Sequence, residues 1–279
     1  MSWPRDLLAR VEDVSLNASA PAQQRWIDGW LVRYCPGKAR RARCINAVGP
    51  GRLPLADKLA LASAVYEAAG LPMHFRITPF SQPESLDAEL AARGWTAVDP
   101  TLVLVRAPNG PEHHADHGDP PHGLALRRAD AAEFARVVGS LRGSAADEIA
   151  AHADRLRLSP VPYRGAILWD GDSPIACAQT ACEASFAGLY DVFTAPAWRG
   201  RRLATWLCKR LLSEAASSGD TTDYLQVSAD NAAAQATYRR LGFTPGYTYH
   251  YRVPPEGAHP GTDQSLSSLS RSAGTERGG

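Results

Sequence analysis

The reactive side chains of this sequence concentrate in two stretches. Residues 192–204 read Val-Phe-Thr-Ala-Pro-Ala-Trp-Arg-Gly-Arg-Arg-Leu-Ala, and residues 231–243 read Asn-Ala-Ala-Ala-Gln-Ala-Thr-Tyr-Arg-Arg-Leu-Gly-Phe. The first puts Arg199, Arg201 and Arg202 at a helix start, where backbone N–H groups lack partners and the macrodipole is positive. Each cation there opposes the dipole by roughly 0.3–1 kcal/mol, and no acidic residue lies between 195 and 213 to offset them. A bound pyrophosphate reverses the sign, because the free N–H groups and the guanidiniums then serve one anion. The second stretch sets Asn231 and Tyr238 seven residues apart, two helical turns along one face. Together they imply an enzyme that binds a phosphorylated carrier and passes a group from it to an acceptor.

The elements around these stretches alternate. In residues 124–253, strands are expected at 124–127, 166–169, 175–183, 186–194, 224–227 and 248–253, and helices at 131–139, 145–158, 203–216 and 231–241. Apolar residues at 203, 206, 207, 211 and 215 give the third helix its period. The first half echoes this order. Residues 28–34 and 41–47 read as a strand pair, 53–69 as a helix stopped by Gly-Leu-Pro, 74–78 as a strand, 84–92 as a helix and 101–106 as a strand. Leu90-Ala-Ala-Arg-Gly-Trp95 matches Tyr238-Arg-Arg-Leu-Gly-Phe243, each closing a helix with Gly and a large aromatic. The pattern predicts two related halves, 1–106 and 124–253, of which only the second keeps the basic turn and the Asn/Tyr pair. Residues 107–123, rich in Pro, Gly, His and Asp, read as a linker, and 254–279 as a disordered tail.

Composition narrows the class. A net charge of +1 over 279 residues gives no pull toward nucleic acid or membrane, no apolar run approaches the roughly 20 residues of a membrane span, and residues 1–6 lack a signal-peptide core. Five cysteines without a CxxC pair fit reduced thiols in a cytoplasm. His113, His114, Asp116, His117 and His122 are metal-capable, but a flexible linker offers no fixed second shell, so no metal is expected. A dinucleotide oxidoreductase is excluded: no GxGxxG follows a strand.

The two motifs resemble those of the GNAT superfamily of acetyl-CoA-dependent N-acetyltransferases. The family's Arg/Gln-x-x-Gly-x-Gly/Ala loop is matched by Arg199-Gly200-Arg201-Arg202-Leu203-Ala204, with Arg202 where the family has its first glycine. The family's Asn-x-x-Ala-x-x-x-Tyr-x-x-x-Gly-Phe run is matched by Asn231 to Phe243. The resemblance implies an α/β fold with a mixed sheet, the acyl-CoA N-acyltransferase fold, a catalytic second half and a degenerate partner in the first. It implies that Val192, Phe193 and Thr194 offer backbone groups to the pantetheine arm, that Arg199, Gly200, Arg201, Arg202, Leu203 and Ala204 hold the pyrophosphate, and that Asn231 bonds the carrier arm. Tyr238 would protonate the departing thiolate. The expected reaction is direct attack of a small-molecule amine on the thioester in a ternary complex.

The general base carries no signature of its own. Asp191 and Glu183, on the two central strands, are the candidates, with His152 and His250 behind them. The acceptor site is expected from 139–165 and the first half, and Trp26, Trp30 and Trp169 are candidates for an apolar lining. A non-catalytic coenzyme A sensor, disabled by Arg202, is the alternative.

Overall fold

The protein is described here from a computed structural model covering residues 3–255 except 109–117, 122, 218 and 220. The metal-capable His113, His114, Asp116, His117 and His122, and all of the expected tail beyond 255, lie outside the described residues. The elements run α1 (Arg5–Ala18), β1 (Gln24–Ile27), β2 (Trp30–Arg33), β3 (Ile45–Ala47), α2 (Leu55–Ala68), β4 (Phe75–Ile77), α3 (Leu86–Ala92) and β5 (Thr96–Arg106). The second half follows with β6 (Leu124–Ala129), α4 (Ala131–Arg142), α5 (Ala146–Arg157), β7 (Tyr163–Asp170), β8 (Ser173–Glu183), β9 (Phe186–Thr194), α6 (Leu203–Ala216), β10 (Thr222–Ser228), α7 (Ala232–Arg240) and β11 (Thr244–Val253). Among the described residues no helix is long and apolar enough to cross a membrane.

All eleven strands form one mixed sheet, in the order β1-β2-β3-β4-β11-β5-β10-β9-β8-β7-β6. Apart from β6 the order is two-fold symmetric. β1–β5 and β7–β11 trace the same path, including a parallel step from β3 to β4 and from β9 to β10. Each half's last strand lies inside the other half. β11 sits between β4 and β5, and β5 sits between β10 and β11. The matching hexapeptides form matching helix ends. The N–H of Trp95 donates to Leu90 at 3.0 Å, and that of Phe243 to Tyr238 at 3.1 Å. Gly94 and Gly242 hold φ of 81° and 84°, a left-handed turn that glycine takes without strain.

Side-chain alternation decides which face each strand residue serves. Ala166 and Leu168 pack with Leu207, Leu211 and Leu212 of α6, whereas Ile167 and Trp169 pack with Phe134 and Val138 of α4. On β5, Leu104 joins the α6 core, while Val103 and Val105 meet Val11 and Val14 of α1. Two buried ion pairs sit at the junction of the halves, the first within the first half but in contact with Tyr247 and Tyr249 of β11, the second between the halves. Glu12 of α1 receives both terminal nitrogens of Arg76 on β4, whose guanidinium lies 3.9 Å from the Tyr249 ring centroid on β11. Arg106 of β5 donates to Asp223 of β10 at 2.8 Å and to the Leu241 carbonyl at 3.3 Å.

Three expectations change. Helix α1 was not anticipated. Residues 28–34 are not one strand, because Asp28 and Gly29, both at positive φ, make the tight turn between β1 and β2. Of residues 41–47 only Ile45–Ala47 is strand, since Arg40–Ala42 closes a 3-10 turn.

His74, beside β4, is buried, and its Nδ1 has no hydrogen-bond partner among the described residues. Burial, aided by Arg40 and Arg43, pushes its pKa down to about 4. Between the ordinary histidine pKa and pH 4 the unfolded chain therefore binds a proton that the folded chain refuses, and stability falls as pH falls. We expect His74→Leu to remove an acid-induced loss approaching about 2–3 kcal/mol at pH 4.5. Denaturant titrations of both proteins at pH 7.5 and 4.5 measure it, and equal losses would refute it.

Candidate active site

β9 and β10 pair only from Phe186–Thr222 to Leu189–Leu225. Beyond that point β9 stays with β8 as far as Thr194, and β10 stays with β5 as far as Ser228. Each strand then presents one unpaired edge to the other, and an unpaired edge accepts an extended ligand as an added strand. A bulge marks the parting: Cys177 faces Phe193 and Gln179 faces Tyr190, so Asp191 and Val192 together oppose Ala178. Asp191 takes φ 49° there, and such a bulge bends its strand away from its neighbour. Just before it, Gly188 lies where a Cβ would come within 2.6 Å of both the Tyr190 and the Tyr224 ring. The hydroxyls of these tyrosines meet at 2.9 Å, so a larger residue at 188 would displace the pair.

The expected phosphate loop follows β9. A 3-10 turn at Pro196–Trp198 leads through Gly200 to α6, whose first turn has neither a side-chain cap nor an acidic residue. Its N–H groups are left for an anion. Arg199, Arg201 and Arg202 are all exposed around it. Arg199 donates through Nε to the Thr194 carbonyl at 3.3 Å, and the Arg201 guanidinium stacks 4.4 Å from the Trp198 ring centroid. Arg202 caps α6 with φ 59° and ψ 17°. That is the left-handed region, and it explains why the family motif favours glycine here: an L-residue pays roughly 1–2 kcal/mol. The hydroxyl of Thr194 is buried without a partner among the described residues, an orphan at the mouth of the open edge. An open strand edge, an uncapped helix start and flanking cations thus meet at the end of β9.

On α7 the Asn231 side chain accepts from the Ala234 N–H at 3.0 Å and caps the helix. Tyr238 packs into the same core as Leu189, Leu225 and Leu203, edge-on to Phe243 at 6.1 Å. Burial first, then Cys208, push its hydroxyl well above the usual tyrosine range against the pull of Arg142. It stays protonated at neutral pH and makes no hydrogen bond among the described residues.

Arg142 also reaches Asp191, which lies at the centre of a polar cluster. Arg142 Nη1 meets one carboxylate oxygen at 2.8 Å, Gln179 donates to the other at 2.7 Å, and His152 Nε2 lies 3.3 Å from that same oxygen. Burial opposes ionisation, but His152, Arg142 and Arg155 outweigh it and hold the carboxyl far below the usual carboxylate range. The cluster borders a cavity of about 260 Å³. One wall is α4, α5 and Tyr163, and the other is segment 36–42 of the first half.

The structure therefore brings together Asp191, Val192, Phe193 and Thr194 along β9, the loop from Arg199 to Ala204, and Tyr238, in the core against which Val192 packs. It does not bring Glu183 to this group. Glu183 lies opposite Phe186 at the other end of the strand pair, where Asn17 donates to both its oxygens, roughly 16 Å from Asp191 along β9. His250 is bound to Asp87 at 2.9 Å. None of the three tryptophans lines the cavity: Trp30 and Trp169 are core, and Trp26 is 65% exposed. The sequence reading missed the combined role of Glu148, His152 and Arg155, although their spacing of four and three residues puts them on one face of α5.

A family described as "Probable histone acetyltransferase Rv0428c C-terminal" matches residues 8–252. The chain belongs to this family. It is similar to the uncharacterized N-acetyltransferase YobR of Bacillus subtilis (strain 168), at 25% identity over 85% of this chain and 94% of that one. Among solved structures, a GCN5-related N-acetyltransferase from Kribbella flavida superimposes with a TM-score of 0.60 at 18% identity, covering 90% of this chain and 95% of that one. A tandem GNAT protein from the clavulanic acid biosynthesis pathway gives 0.56 at 15% identity, over 73% and 71%. The acetyltransferase has the GNAT fold expected from its two motifs and is an acyltransferase enzyme. A non-catalytic sensor has no support, and Arg202 adopts the backbone that glycine would.

We expect Arg202→Gly to raise the unfolding midpoint of the acetyltransferase by about 1–3 °C through relief of the left-handed strain. Coenzyme A affinity should change by less than about threefold, since the backbone N–H groups of α6 remain. Calorimetry measures both, and a lower midpoint would refute the strain argument.

Proposed function

We propose that the enzyme transfers an acetyl group from acetyl-CoA to a primary amine of a small molecule, by direct attack within a ternary complex. The observation that carries this reading is the cavity beside the parting of β9 and β10, walled by both halves and bordered by the Asp191–His152 pair. At about 260 Å³ it lies near the lower end of ligand sites, roughly 300–1,000 Å³. That size suits a small acceptor better than a length of protein. The family's description names histones, so a protein lysine is the competing acceptor.

Bound acetyl-CoA would supply an activated acetyl thioester. The open edge at Val192, Phe193 and Thr194 would hold the pantetheine arm, with Asn231 across from it, and Arg199 to Ala204 would hold the pyrophosphate. An N–H of β9 would stabilise developing negative charge on the carbonyl oxygen. Tyr238, protonated at neutral pH, would give its proton to the departing sulfur. His152 suits the amine's proton better than Asp191 does. Asp191 is a weak base, with its oxygens already engaged by Arg142, Gln179 and His152. With Nε2 turned to that carboxylate, the nitrogen of His152 left to accept a proton is Nδ1. Asp191 then serves as the charge beside the ring, 3.3 Å from Nε2, and Glu183 takes no part. The five unpaired cysteines suit a reducing cytoplasm.

Acetyl-CoA should raise the unfolding midpoint. Tyr238→Phe and His152→Gln should each lower kcat by about 10²–10⁴-fold with little change in the acetyl-CoA KM. A screen of amino acids, polyamines, aminoglycosides and histone-tail peptides, read by mass spectrometry, identifies the acceptor. Faster acetylation of the peptides than of any small amine would overturn the small-molecule reading.

A further inference from the structure

We infer that the acceptor amine also carries an anionic group, a carboxylate or a phosphate, which Arg41 and Arg155 receive from opposite walls of the cavity. This rests on the reading of that cavity as the acceptor site.

The charges lining the cavity do not balance. Among the described residues, Lys38, Arg41, Arg142, His152 and Arg155 face only two acids, Glu148 and Asp191. Glu148 is taken by Lys38 at 2.6 Å, and Asp191 by Arg142 at 2.8 Å and His152 at 3.3 Å. Arg41 and Arg155 make neither an ion pair nor a side-chain hydrogen bond among the described residues. Both are half-buried. The Arg41 guanidinium lies 5.7 Å from the Tyr190 ring centroid, and Tyr163, Tyr249 and Tyr251 also face it. Three of the four tyrosine hydroxyls are engaged elsewhere, that of Tyr249 with Gln226. Tyr163 donates to the Ala18 carbonyl at 2.7 Å, and Tyr190 pairs with Tyr224.

A guanidinium carries five N–H donors. Drawing it out of water without an acceptor is unfavourable, whereas a planar anion satisfies it in bidentate fashion. Arg41 comes from the first half and Arg155 from α5, so one anion between them would engage both walls. The two charge centres also sort the ends of the acceptor. At the Asp191–His152 end the carboxylate is already matched by Arg142, whereas Arg41 and Arg155 carry unmatched positive charge, so the anion is drawn to the arginines and the uncharged amine is left for the Asp191–His152 end. Amino acids, short acidic peptides and phosphorylated amines have this polarity, whereas polyamines and aminoglycosides do not.

The test uses the full-length protein saturated with coenzyme A and matched pairs of amines: amino acids against their amides, and O-phosphoethanolamine against ethanolamine. Affinity is read by calorimetry, and transfer from acetyl-CoA by release of free thiol. The anionic member of at least one pair should bind about tenfold or more tightly, and the pair that discriminates distinguishes carboxylate from phosphate. Arg41→Met and Arg155→Met should each erase that preference while leaving affinity for the neutral member and for coenzyme A within about twofold. Arg155, being on a helix face, serves as the second variant should Arg41→Met fold poorly. Equal affinity within every pair, or variants that weaken both members alike, overturn the anion site whether or not transfer occurs. Discrimination that survives without transfer to any amine supports the anion site and overturns the proposed reaction alone.

Discussion

The reciprocal exchange of β5 and β11 is the constraint on which the rest of the molecule depends. Each half reaches the end of its own chain path with a gap in its sheet, and the last strand of the other half fills that gap. β5 is therefore the neighbour of β10, on which the second half's open edge relies. Without β5, β10 would be an exposed edge on both sides beyond Leu225, with nothing to hold it apart from β9. Arg106 extends the same dependence to the chemistry. From β5 it grips Asp223 on β10 and the Leu241 carbonyl after α7, so the helix carrying Tyr238 is fixed by a residue of the first half.

The parting of β9 and β10 has a local cause in addition to this global one. A one-residue bulge at Asp191 and the tyrosine pair over Gly188 act at neighbouring positions. The bulge needs a residue that tolerates positive φ, and aspartate is among the few that do. The same left-handed turn aims its carboxylate at Gln179, Arg142 and His152. One backbone conformation thus serves both to open the sheet and to build the polar cluster. The cluster can sit in a low-dielectric setting because the carboxylate has more partners than one, which is the condition for burying a charge.

Much of this was legible in the sequence, for stated reasons. The basic helix start, the Asn–Tyr spacing and the helix–Gly–aromatic endings are local signals. The structure forms each of them where the residues indicated: α6 without a cap, Asn231 as a cap, and Gly94 and Gly242 in the same left-handed turn. Helix α1 was hidden because its buried face includes Glu12 and Ser15. The Glu12 carboxylate on it is met by Arg76 and Tyr247, which lie 64 and 235 residues away. The strand exchange is likewise non-local, and no spacing in the chain announces it. At the site, Asp191 was visible as a carboxylate on a central strand. Its partners were not, because they come from α4, α5 and β8, and Glu183 looked equivalent until the register placed it at the far end.

The first half carries neither the basic turn nor the Asn/Tyr pair, yet its residues cannot be dispensed with by the second. It contributes a central strand, the grip on α7 and one wall of the cavity. These are roles of different kinds, and they constrain it differently. A strand in the middle of the sheet must keep its length and apolar alternation, as Val103, Leu104 and Val105 do. A cavity wall need only keep its backbone path and is free to change the side chains it presents. In segment 36–42 the path is anchored at one end by the Cys35 N–H on the Ala42 carbonyl and across the cavity by Lys38 on Glu148, which leaves the other side chains that face the cavity to set its chemistry. With the cavity as the acceptor site proposed above, acceptor choice would be set largely by the first half, while the donor site proposed on the second half would stay fixed.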